Sequence, residues 1–476
     1  MQGPKETVLR EKNPSIHVSP LTRKIGLIGL AFLLFILIGN WLPIDETLSA
    51  GNPASIRTGL AILALAAVLW LTEAMPLPIT ALLVAVLASL TGVLEVSASF
   101  ASFAHPLIFL FLGSFGLAAA LSKQGIDRWL AMRILTLGRG NFHVTALALF
   151  MVSALLSMWI SNTATVALLL PVSLGILANI TSRCEQSVTE RAAPYLLLGI
   201  AYSASIGGMG TLIGTAPNAI AAAHLKMSFA EWLRIGLPVV LILLPALFIL
   251  LRLISRPGKI PKFPVQRESF QMTRKRLITL VIFLLTICGW IFSSDLAGFF
   301  GISKSFDSIV AVTAILLLAS CQLVTWKDID HTTDWGILLL FGGGLTLSKI
   351  LGTTGASLYL AKEIQTLTMG WPVFLLVGIV VLFMIFLTEL SSNTASTALM
   401  VPIFAAVAID MGIPVKQLVL PLTFAASCAF MLPIATPPNA IVFSSGRIKQ
   451  REMIRIGFVL NLVFAGILTV VSRVLF

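Results

Sequence analysis

Charge is scarce in this sequence. Asp, Glu, Lys and Arg make up 11% of the 476 residues, whereas ordinary soluble domains carry about 25%. Hydrophobic residues account for 57% of the chain, and the mean hydropathy is +0.99. This composition excludes a soluble globular domain and predicts an all-α, polytopic integral membrane protein.

Cysteine is also rare. The four cysteines are Cys184, Cys288, Cys321 and Cys428. They are scattered along the chain, and three of them fall in apolar segments. Their spacing fits neither a metal site nor a disulfide framework. The sequence shows no nucleophile, base and acid set, so we expect a protein that is not an enzyme and needs no cofactor beyond a coupling ion.

Long apolar runs take the place of charge. Runs of about 20 residues can cross the roughly 30 Å hydrocarbon core as helices. The first run exceeds a typical signal-peptide core, so we expect a retained helix, although cleavage near Ser49 is an alternative. Eleven spans are predicted, at residues 25–43, 56–74, 77–94, 105–122, 192–212, 232–253, 277–294, 306–323, 334–352, 418–435 and 453–474.

Two further apolar segments, 143–181 and 372–409, are nearly twice the length of a span. Each is interrupted in the middle by a Ser-Asn-Thr cluster, which predicts a re-entrant hairpin that enters the membrane and returns. Irregular backbone at membrane depth is tolerated only where it faces protein or a water-filled cavity. Two full spans in each segment remain an alternative, because they would leave the topology on both sides unchanged.

The basic residues are distributed unevenly. With a cytoplasmic N-terminus and both hairpins re-entrant, 24 of the 32 Lys and Arg residues lie on the cytoplasmic side and 8 elsewhere, as the positive-inside rule requires. This explains the net charge of +12 without nucleic acid. It predicts a plasma (inner) membrane protein whose C-terminus is on the opposite side.

The two halves of the sequence repeat each other. "SNTATVALLLP" (161–171) and "SNTASTALMVP" (392–402) match at 7 of 11 positions, and "GTAPNAI" (214–220) resembles "ATPPNAI" (435–441). Each half holds five spans and one hairpin, so the halves enter the membrane from opposite sides, as in many secondary transporters. The predicted divisions are an N-terminal cytoplasmic segment (1–24), an extra helix and loop (25–55), a first repeat (56–253), a basic cytoplasmic loop (254–276) and a second repeat (277–476).

Both Ser-Asn-Thr clusters precede an apolar helix, with Asn or Thr expected at the cap. The positive ends of two helices would then face one midplane cavity and suit a doubly anionic ligand. Neither motif contains Arg, Lys or His. The anion would therefore be held by backbone dipoles, by the amides of Asn162 and Asn393 and by the hydroxyls of Thr163 and Thr394.

Hydroxyls and freed carbonyls also suggest cation sites. Ser157 and Thr388 each precede the cluster serine by four residues, on the same helix face. The Thr-x-Pro-Asn motifs are expected to break spans five and ten and to free carbonyls around Gly214 and Ala435. Such oxygens can bind Na⁺. Glu389 has Met158 as its first-half counterpart, which favours a hydrogen-bonding role over a place in the symmetric site.

The chain resembles the divalent anion:sodium symporters. "ASCAFMLPIATPPNAIV" (426–442) is similar to the family signature, and both Ser-Asn-Thr motifs match. The resemblance implies substrate contacts and two Na⁺ sites. The implied substrate-binding residues are Asn162, Thr163, Ser392, Asn393 and Thr394, with Thr215 and Pro437 from the broken spans. The implied Na⁺ ligands are Ser157, Ser161, Asn162 and Gly214 in one site, and Thr388, Ser391, Asn393 and Ala435 in the other.

The resemblance also implies a homodimer with an elevator mechanism, in which the hairpins and spans five, six, ten and eleven move against a scaffold. The first half departs from the family pattern at Ala216, where many members have proline. We expect a Na⁺-coupled importer of a C4-dicarboxylate such as succinate, malate or fumarate. The alternatives are a Na⁺-independent dicarboxylate exchanger and a citrate or sulfate symporter of the same fold; a channel suits the closed, paired site less well.

Overall fold

The computed structural model describes residues 20–45, 52–135, 138, 140–258, 260–262, 271–302 and 305–476. Most of the predicted N-terminal segment 1–24 and much of the basic loop 254–276 lie outside these residues. In the described part of the chain every regular element is helical, which confirms the all-α prediction.

The helices alternate between long apolar elements and short connectors. In the first half they are α1 (Pro20–Trp41), α2 (Pro53–Thr72), α3 (Leu77–Leu90), α4 (Val96–Phe100), a 3-10 turn (Ala101–Ala104), α5 (Pro106–Lys123), α6 (Ile126–Leu135), α7 (Phe142–Ser157), α8 (Asn162–Thr181), α9 (Gln186–Gly208), α10 (Ala216–Leu225) and α11 (Phe229–Ser255). In the second half they are α12 (Arg274–Ile291), α13 (Ser293–Phe299), α14 (Phe306–Ser320), α15 (Trp326–Thr332), α16 (Trp335–Thr354), α17 (Ala356–Leu367), α18 (Val373–Leu390), α19 (Asn393–Asp410), α20 (Val415–Ala426), α21 (Pro437–Ser444) and α22 (Gln450–Leu475).

Within the described residues, nine helices are long and apolar enough to cross a membrane, and α12 with α13, bent by 78°, is a tenth candidate. The chain is therefore a multi-pass membrane protein. The count of eleven spans stays a prediction, because several of the predicted spans are shorter helices or are broken. Several predicted spans run past the end of their helix: 192–212 is helical only to Gly208, 418–435 only to Ala426, 77–94 only to Leu90 and 306–323 only to Ser320.

The helices begin and end where local chemistry directs. Asn52 caps α2 by accepting a hydrogen bond from the Ala54 amide (2.9 Å). Ser228 and Glu231 form a reciprocal capping box at the start of α11, which satisfies amides that would otherwise be unpaired. Gly355, at φ 77°, ends α16 in the left-handed conformation that glycine adopts at low cost.

The packing of the two halves is exchanged: helices of one half pack against helices of the other. In the repeat α3 corresponds to α14, and α5 corresponds to α16. α3 packs against α16, and α5 packs against α14. In the same way α8 contacts α21 while α19 contacts α10. Each half thus completes the other, and the two Ser-Asn-Thr clusters come together in the interior.

Small residues make the two exchanged contacts close. A Cβ atom built on Gly113 of α5 would lie 2.5 Å from the Ala311 Cβ and 2.7 Å from the Ala311 carbonyl oxygen. A Cβ atom on Gly343 of α16 would lie 2.6 Å from the Ala81 Cα. Gly113 and Gly343 are separated by the same number of residues as Ala81 and Ala311. The two contacts are therefore equivalent, and each depends on a glycine in one helix that faces an alanine in the other.

Gly113→Ala is therefore expected to destabilise the protein by about 1–3 kcal/mol, because the backbone of α14 must move to admit a methyl group. The measurement is thermal unfolding of the purified protein in detergent. Gly175→Ala in α8 is the matched control, since a Cβ there meets no atom within 4 Å. An equal melting temperature for wild type and Gly113→Ala would contradict the close packing of α5 on α14.

Candidate functional site

Both Ser-Asn-Thr clusters lie at breaks between paired helices. α7 and α8 are separated by residues 158–161, and α18 and α19 by residues 391 and 392. These bounds place the interruptions where the sequence predicts them. The N-termini of α8 and α19 start at the breaks, so their first amide groups point toward the space between the two pairs.

Serine rather than asparagine or threonine caps both helices. Ser161 Oγ accepts a hydrogen bond from the Ala164 amide (3.2 Å), and Ser392 Oγ accepts one from the Ala395 amide (3.5 Å). The predicted Asn or Thr cap is therefore wrong by one or two residues. Serine is a strong N-cap because its short hydroxyl reaches the amide three residues on. The neighbouring Asn and Thr side chains are consequently not used as caps.

A second pair of breaks lies beside the first. α9 and α10 are separated by residues 209–215, and α20 and α21 by residues 427–436. The prolines of the Thr-x-Pro-Asn motifs occupy the first turn of α10 and α21, where a missing amide hydrogen costs least. The predicted interruptions of spans five and ten are thus present in the structure.

Asparagine side chains bridge both of these breaks. Asn218 Nδ2 donates to the carbonyls of Gly208 (2.8 Å) and Thr211 (2.7 Å). At matching positions Asn439 Nδ2 donates to the carbonyls of residues 429 (2.9 Å) and 432 (3.1 Å). Both asparagines are fully buried. They hold each unwound segment in one shape by satisfying carbonyls that have left the helix.

The four breaks open into one cavity of about 1070 Å³. Its other wall comes from the turn between α2 and α3, from α5 and from the start of α16. The volume lies just above the range of about 300–1,000 Å³ that small-molecule pockets occupy. It accommodates a small organic dianion together with water.

All seven predicted substrate-binding residues line this cavity: Asn162, Thr163, Thr215, Ser392, Asn393, Thr394 and Pro437. Four predicted Na⁺ ligands also line it: Ser161, Gly214, Ser391 and Ala435. Ser157 and Thr388 lie behind the surface and are fully buried. The structure thus gathers the predicted residues of both halves around one space.

The cavity carries only negative side-chain charge. Glu73 and Asp334 are at its lining, and no lysine, arginine or histidine is among the described residues that line it. Both carboxylates belong to the wall opposite the breaks. An anion in this space would have to be bound by amides, hydroxyls and helix N-termini.

The first group of predicted Na⁺ ligands converges. Ser157 Oγ donates to Asn162 Oδ1. A Cβ atom built on Gly208 would lie 2.7 Å from Asn162 Oδ1 and 3.0 Å from the Gly214 carbonyl oxygen. Ser157, Asn162 and Gly214 therefore approach one point beside Gly208. The hydroxyl of Ser161 is used as the helix cap instead.

The second group is arranged differently. Thr388 Oγ1 donates to the Ile385 carbonyl (3.0 Å), and Ser391 Oγ contacts Ser396 Oγ (2.7 Å). Asn393 Oδ1 is buried and has no hydrogen-bond partner in the part of the chain that the structure describes. The structure shows no contact between Thr388 and Asn393, unlike the pair of Ser157 and Asn162 in the first half.

Sequence reasoning missed three residues of this region as site residues. Asn218 and Asn439 recur at the same place in both Thr-x-Pro-Asn motifs, and that repetition was the signal that could have found them. Gly208 carries no comparable signal, because its counterpart is Ala429. Its importance follows only from the approach of α9 to Asn162.

Known proteins match this chain along nearly its whole length. The sequence profile described as "Sodium:sulfate symporter transmembrane region" matches residues 26–475. An uncharacterized transporter of Haemophilus influenzae is 46% identical over 91% of this chain and 93% of its own. The sodium-dependent dicarboxylate transporter SdcS of Staphylococcus saprophyticus is 32% identical over 97% of this chain and 92% of its own.

A solved structure shares the fold. That of MtrF from Neisseria gonorrhoeae matches with a TM-score of 0.58 over 97% of this chain and 96% of its own, at 13% sequence identity. The matched relatives are transporters rather than enzymes, which confirms the prediction that this chain is not an enzyme. Given a profile match along nearly its whole length, the chain belongs to the divalent anion:sodium symporter family.

Proposed function

We propose that this protein imports a C4-dicarboxylate, such as succinate, malate or fumarate, coupled to Na⁺. The observation that carries the proposal is that the N-termini of α8 and α19, each with its Ser-Asn-Thr cluster, open into one cavity. The named activity of SdcS, which is similar to this chain over nearly its whole length, supports Na⁺ and a dicarboxylate as the transported species.

Two helix N-termini match the two ends of a dicarboxylate. Each carries about half a positive charge and free amide donors. The amides of Asn162 and Asn393 and the hydroxyls of Thr163 and Thr394 add uncharged donors around them. Binding through neutral groups is weaker than binding through arginine, so the substrate can be released on the other side.

Cation coupling follows from the charge of the cavity. A dianion that enters a space lined by Glu73 and Asp334 meets like charge, which is unfavourable unless cations bind nearby. The cluster of Ser157, Asn162 and Gly214 offers oxygens for one Na⁺, and Thr388, Ser391, Asn393 and Ala435 are proposed for the other. Bound Na⁺ would offset the charge of the substrate.

The proposal includes the architecture that this mechanism needs. The helix pairs α7–α8 and α18–α19 are proposed as re-entrant hairpins within an inverted repeat of eleven spans, and the exchanged packing of the halves supports the repeat. The cavity has one wall from the breaks and another from α2, α3, α5 and α16. This division fits an elevator motion of a transport domain against a scaffold in a homodimer with a cytoplasmic N-terminus.

Proteoliposomes loaded without Na⁺ are expected to accumulate radiolabelled succinate under an inward Na⁺ gradient and not under an equal K⁺ gradient. Unlabelled fumarate should compete, because its two carboxylates have a similar separation. Citrate and sulfate are the competitors that distinguish the other substrates of the fold. The initial rate of uptake is the measurement.

The counter-result is uptake that ignores Na⁺ and requires dicarboxylate inside the vesicle. That result would identify a Na⁺-independent exchanger and remove both cation sites from the proposal. Stronger competition by citrate or sulfate than by fumarate would keep the coupling and change the substrate.

A further inference from the structure

The two broken spans are not equivalent. α10 and α21 begin at matching positions, Ala216 and Pro437, which are 221 residues apart. α9 continues to Gly208, whereas α20 ends at Ala426, three residues before the counterpart of Gly208. The second unwound segment is therefore longer than the first, and all of its additional residues lie at its N-terminal end.

A buried carboxylate accounts for the earlier end of α20. Glu389 of α18 is 3% exposed, and its Oε1 accepts hydrogen bonds from the amides of Phe430 (2.7 Å) and Met431 (2.8 Å). Its Oε2 accepts a third from the Leu432 amide (3.0 Å), and Asn461 Nδ2 donates a fourth to Oε1 (2.7 Å). Three consecutive amides that a helix would use are bonded to one side chain instead.

The first half lacks this carboxylate. The counterpart of Glu389 is Met158, and there the amides of Met209 and Gly210 bond to backbone carbonyls three residues earlier, at 3.0 and 2.9 Å. Thr211 Oγ1 donates to the Met158 carbonyl (2.5 Å). Because no side-chain carboxylate competes for these amides, they keep their backbone hydrogen bonds, and α9 continues to Gly208.

The backbone carbonyls of the second unwound segment are held by other side chains. Asn439 bonds to the carbonyls at 429 and 432, and Tyr202 donates to the Phe430 carbonyl (2.5 Å). Glu389 therefore fixes the amide side alone. Loss of its charge should loosen the segment without removing everything that holds it.

Glu389 is connected along the chain to the residues proposed for the second cation site. It is next to Thr388 and two residues before Ser391, and the segment that it holds leads to Ala435. Its oxygens accept four hydrogen bonds, three of them from consecutive backbone amides of this segment. The position of the Ala435 carbonyl, a proposed Na⁺ ligand, therefore depends on a segment that Glu389 holds.

We infer that Glu389 is the positioning residue of the second cation site: it holds residues 427–436 unwound and thereby places the Ala435 carbonyl for Na⁺. The inference rests on the proposed function for its cation part. The clamp on the backbone does not depend on what is transported.

The first test is Glu389→Gln in proteoliposomes. Glutamine keeps the size of the side chain but removes the charge and places an amide NH₂ among donors. The Na⁺ concentration for half-maximal succinate uptake should rise about tenfold or more, because the segment that carries Ala435 is no longer held in place. The KM for succinate at saturating Na⁺ should change less than about twofold, because the substrate amides are untouched. Met158→Leu is the control at the equivalent position of the first half and should leave the Na⁺ dependence unchanged.

The second test reads the backbone directly. Cys428 lies in the unwound segment and is fully buried. With Cys184, Cys288 and Cys321 replaced by serine, its reaction with a maleimide in detergent reports local opening. Glu389→Gln should increase the labelling rate about fivefold or more, because an interaction with several amides is lost. Asn461→Ala, which removes one donor and keeps the charge, should increase labelling less and leave the Na⁺ dependence near that of wild type.

The outcomes separate the parts of the inference. Faster labelling with an unchanged Na⁺ dependence would overturn the positioning of the cation site by Glu389, and unchanged labelling would overturn the clamp. If Glu389→Gln is not recovered as folded protein, Glu389→Asp, which withdraws the carboxylate by one methylene, takes its place, and unchanged labelling in that variant overturns the clamp. Na⁺-independent uptake by the wild type would overturn the proposed function and the cation part with it, while the labelling experiment still decides the clamp.

Discussion

Asn162→Ala and Asn393→Ala are each expected to abolish transport while the protein keeps its fold. Both amides line the cavity at the first helical residue after a break. In the proposed site each one serves an anion and a cation together. Because losing a buried polar partner costs about 1–3 kcal/mol, loss of contacts to both species should lower the uptake rate about a hundredfold or more.

The measurement is the initial rate of Na⁺-driven succinate uptake, with the elution profile and melting temperature of each variant as the check on folding. Asn179→Ala is the matched control, since Asn179 lies near the other end of α8 and bonds to the Gly175 carbonyl (2.9 Å). It should transport at the wild-type rate. Uptake by Asn162→Ala and Asn393→Ala at the rate of Asn179→Ala would remove the Ser-Asn-Thr clusters from the site.

The breaks in the helices could be predicted because they depend on local chemistry. Ser, Asn and Thr compete with the helix backbone for hydrogen bonds, and proline cannot donate one. The paired motifs therefore located all four interruptions, and the structure places them at 158–161, 209–215, 391–392 and 427–436. Their repetition in the two halves indicated that they belong together.

The short connecting helices could not be predicted in the same way. α6, α15 and α17 are too short or too polar to stand out in a search for apolar runs of about 20 residues. The bend of 78° between α12 and α13 lies outside the repeated motifs. α15 packs against α5, and α17 packs against α2 and α19, so contacts with helices elsewhere in the chain position these two. Apolar runs specify that a segment is buried, not how it is bent.

The difference between the two halves was also beyond the sequence motifs. The repeat suggested matching cation groups, yet Ser157 contacts Asn162 while Thr388 bonds to the Ile385 carbonyl. The hydrogen bonds that Glu389 accepts from the amides of residues 430–432 join residues about forty positions apart, and no pattern of spacing indicates them. The sequence repeat therefore predicted where the site lies, but it did not predict the hydrogen bonds within it.

Gly208 illustrates this limit and gives the second large expected effect. It is the last residue of α9, and a Cβ atom there would lie 2.7 Å from Asn162 Oδ1 and 3.0 Å from the Gly214 carbonyl oxygen. Its counterpart in the second half is Ala429, which lies in the unwound segment and not in a helix. A methyl group is thus accepted after α20 has ended, and it is excluded where α9 still continues.

Gly208→Ala is expected to raise the Na⁺ concentration for half-maximal uptake about tenfold or more, because the methyl group would push Asn162 and the Gly214 carbonyl apart and separate the oxygens of the first cation group. Uptake against Na⁺ concentration is the measurement, with Gly175→Ala as a control that adds the same methyl group in open space. Ala429→Gly should change the Na⁺ dependence little. If Gly208→Ala keeps the wild-type Na⁺ dependence in a correctly folded protein, the first cation is not bound between Ser157, Asn162 and Gly214. A loss of succinate affinity at saturating Na⁺ would instead indicate that Asn162 acts on the substrate alone.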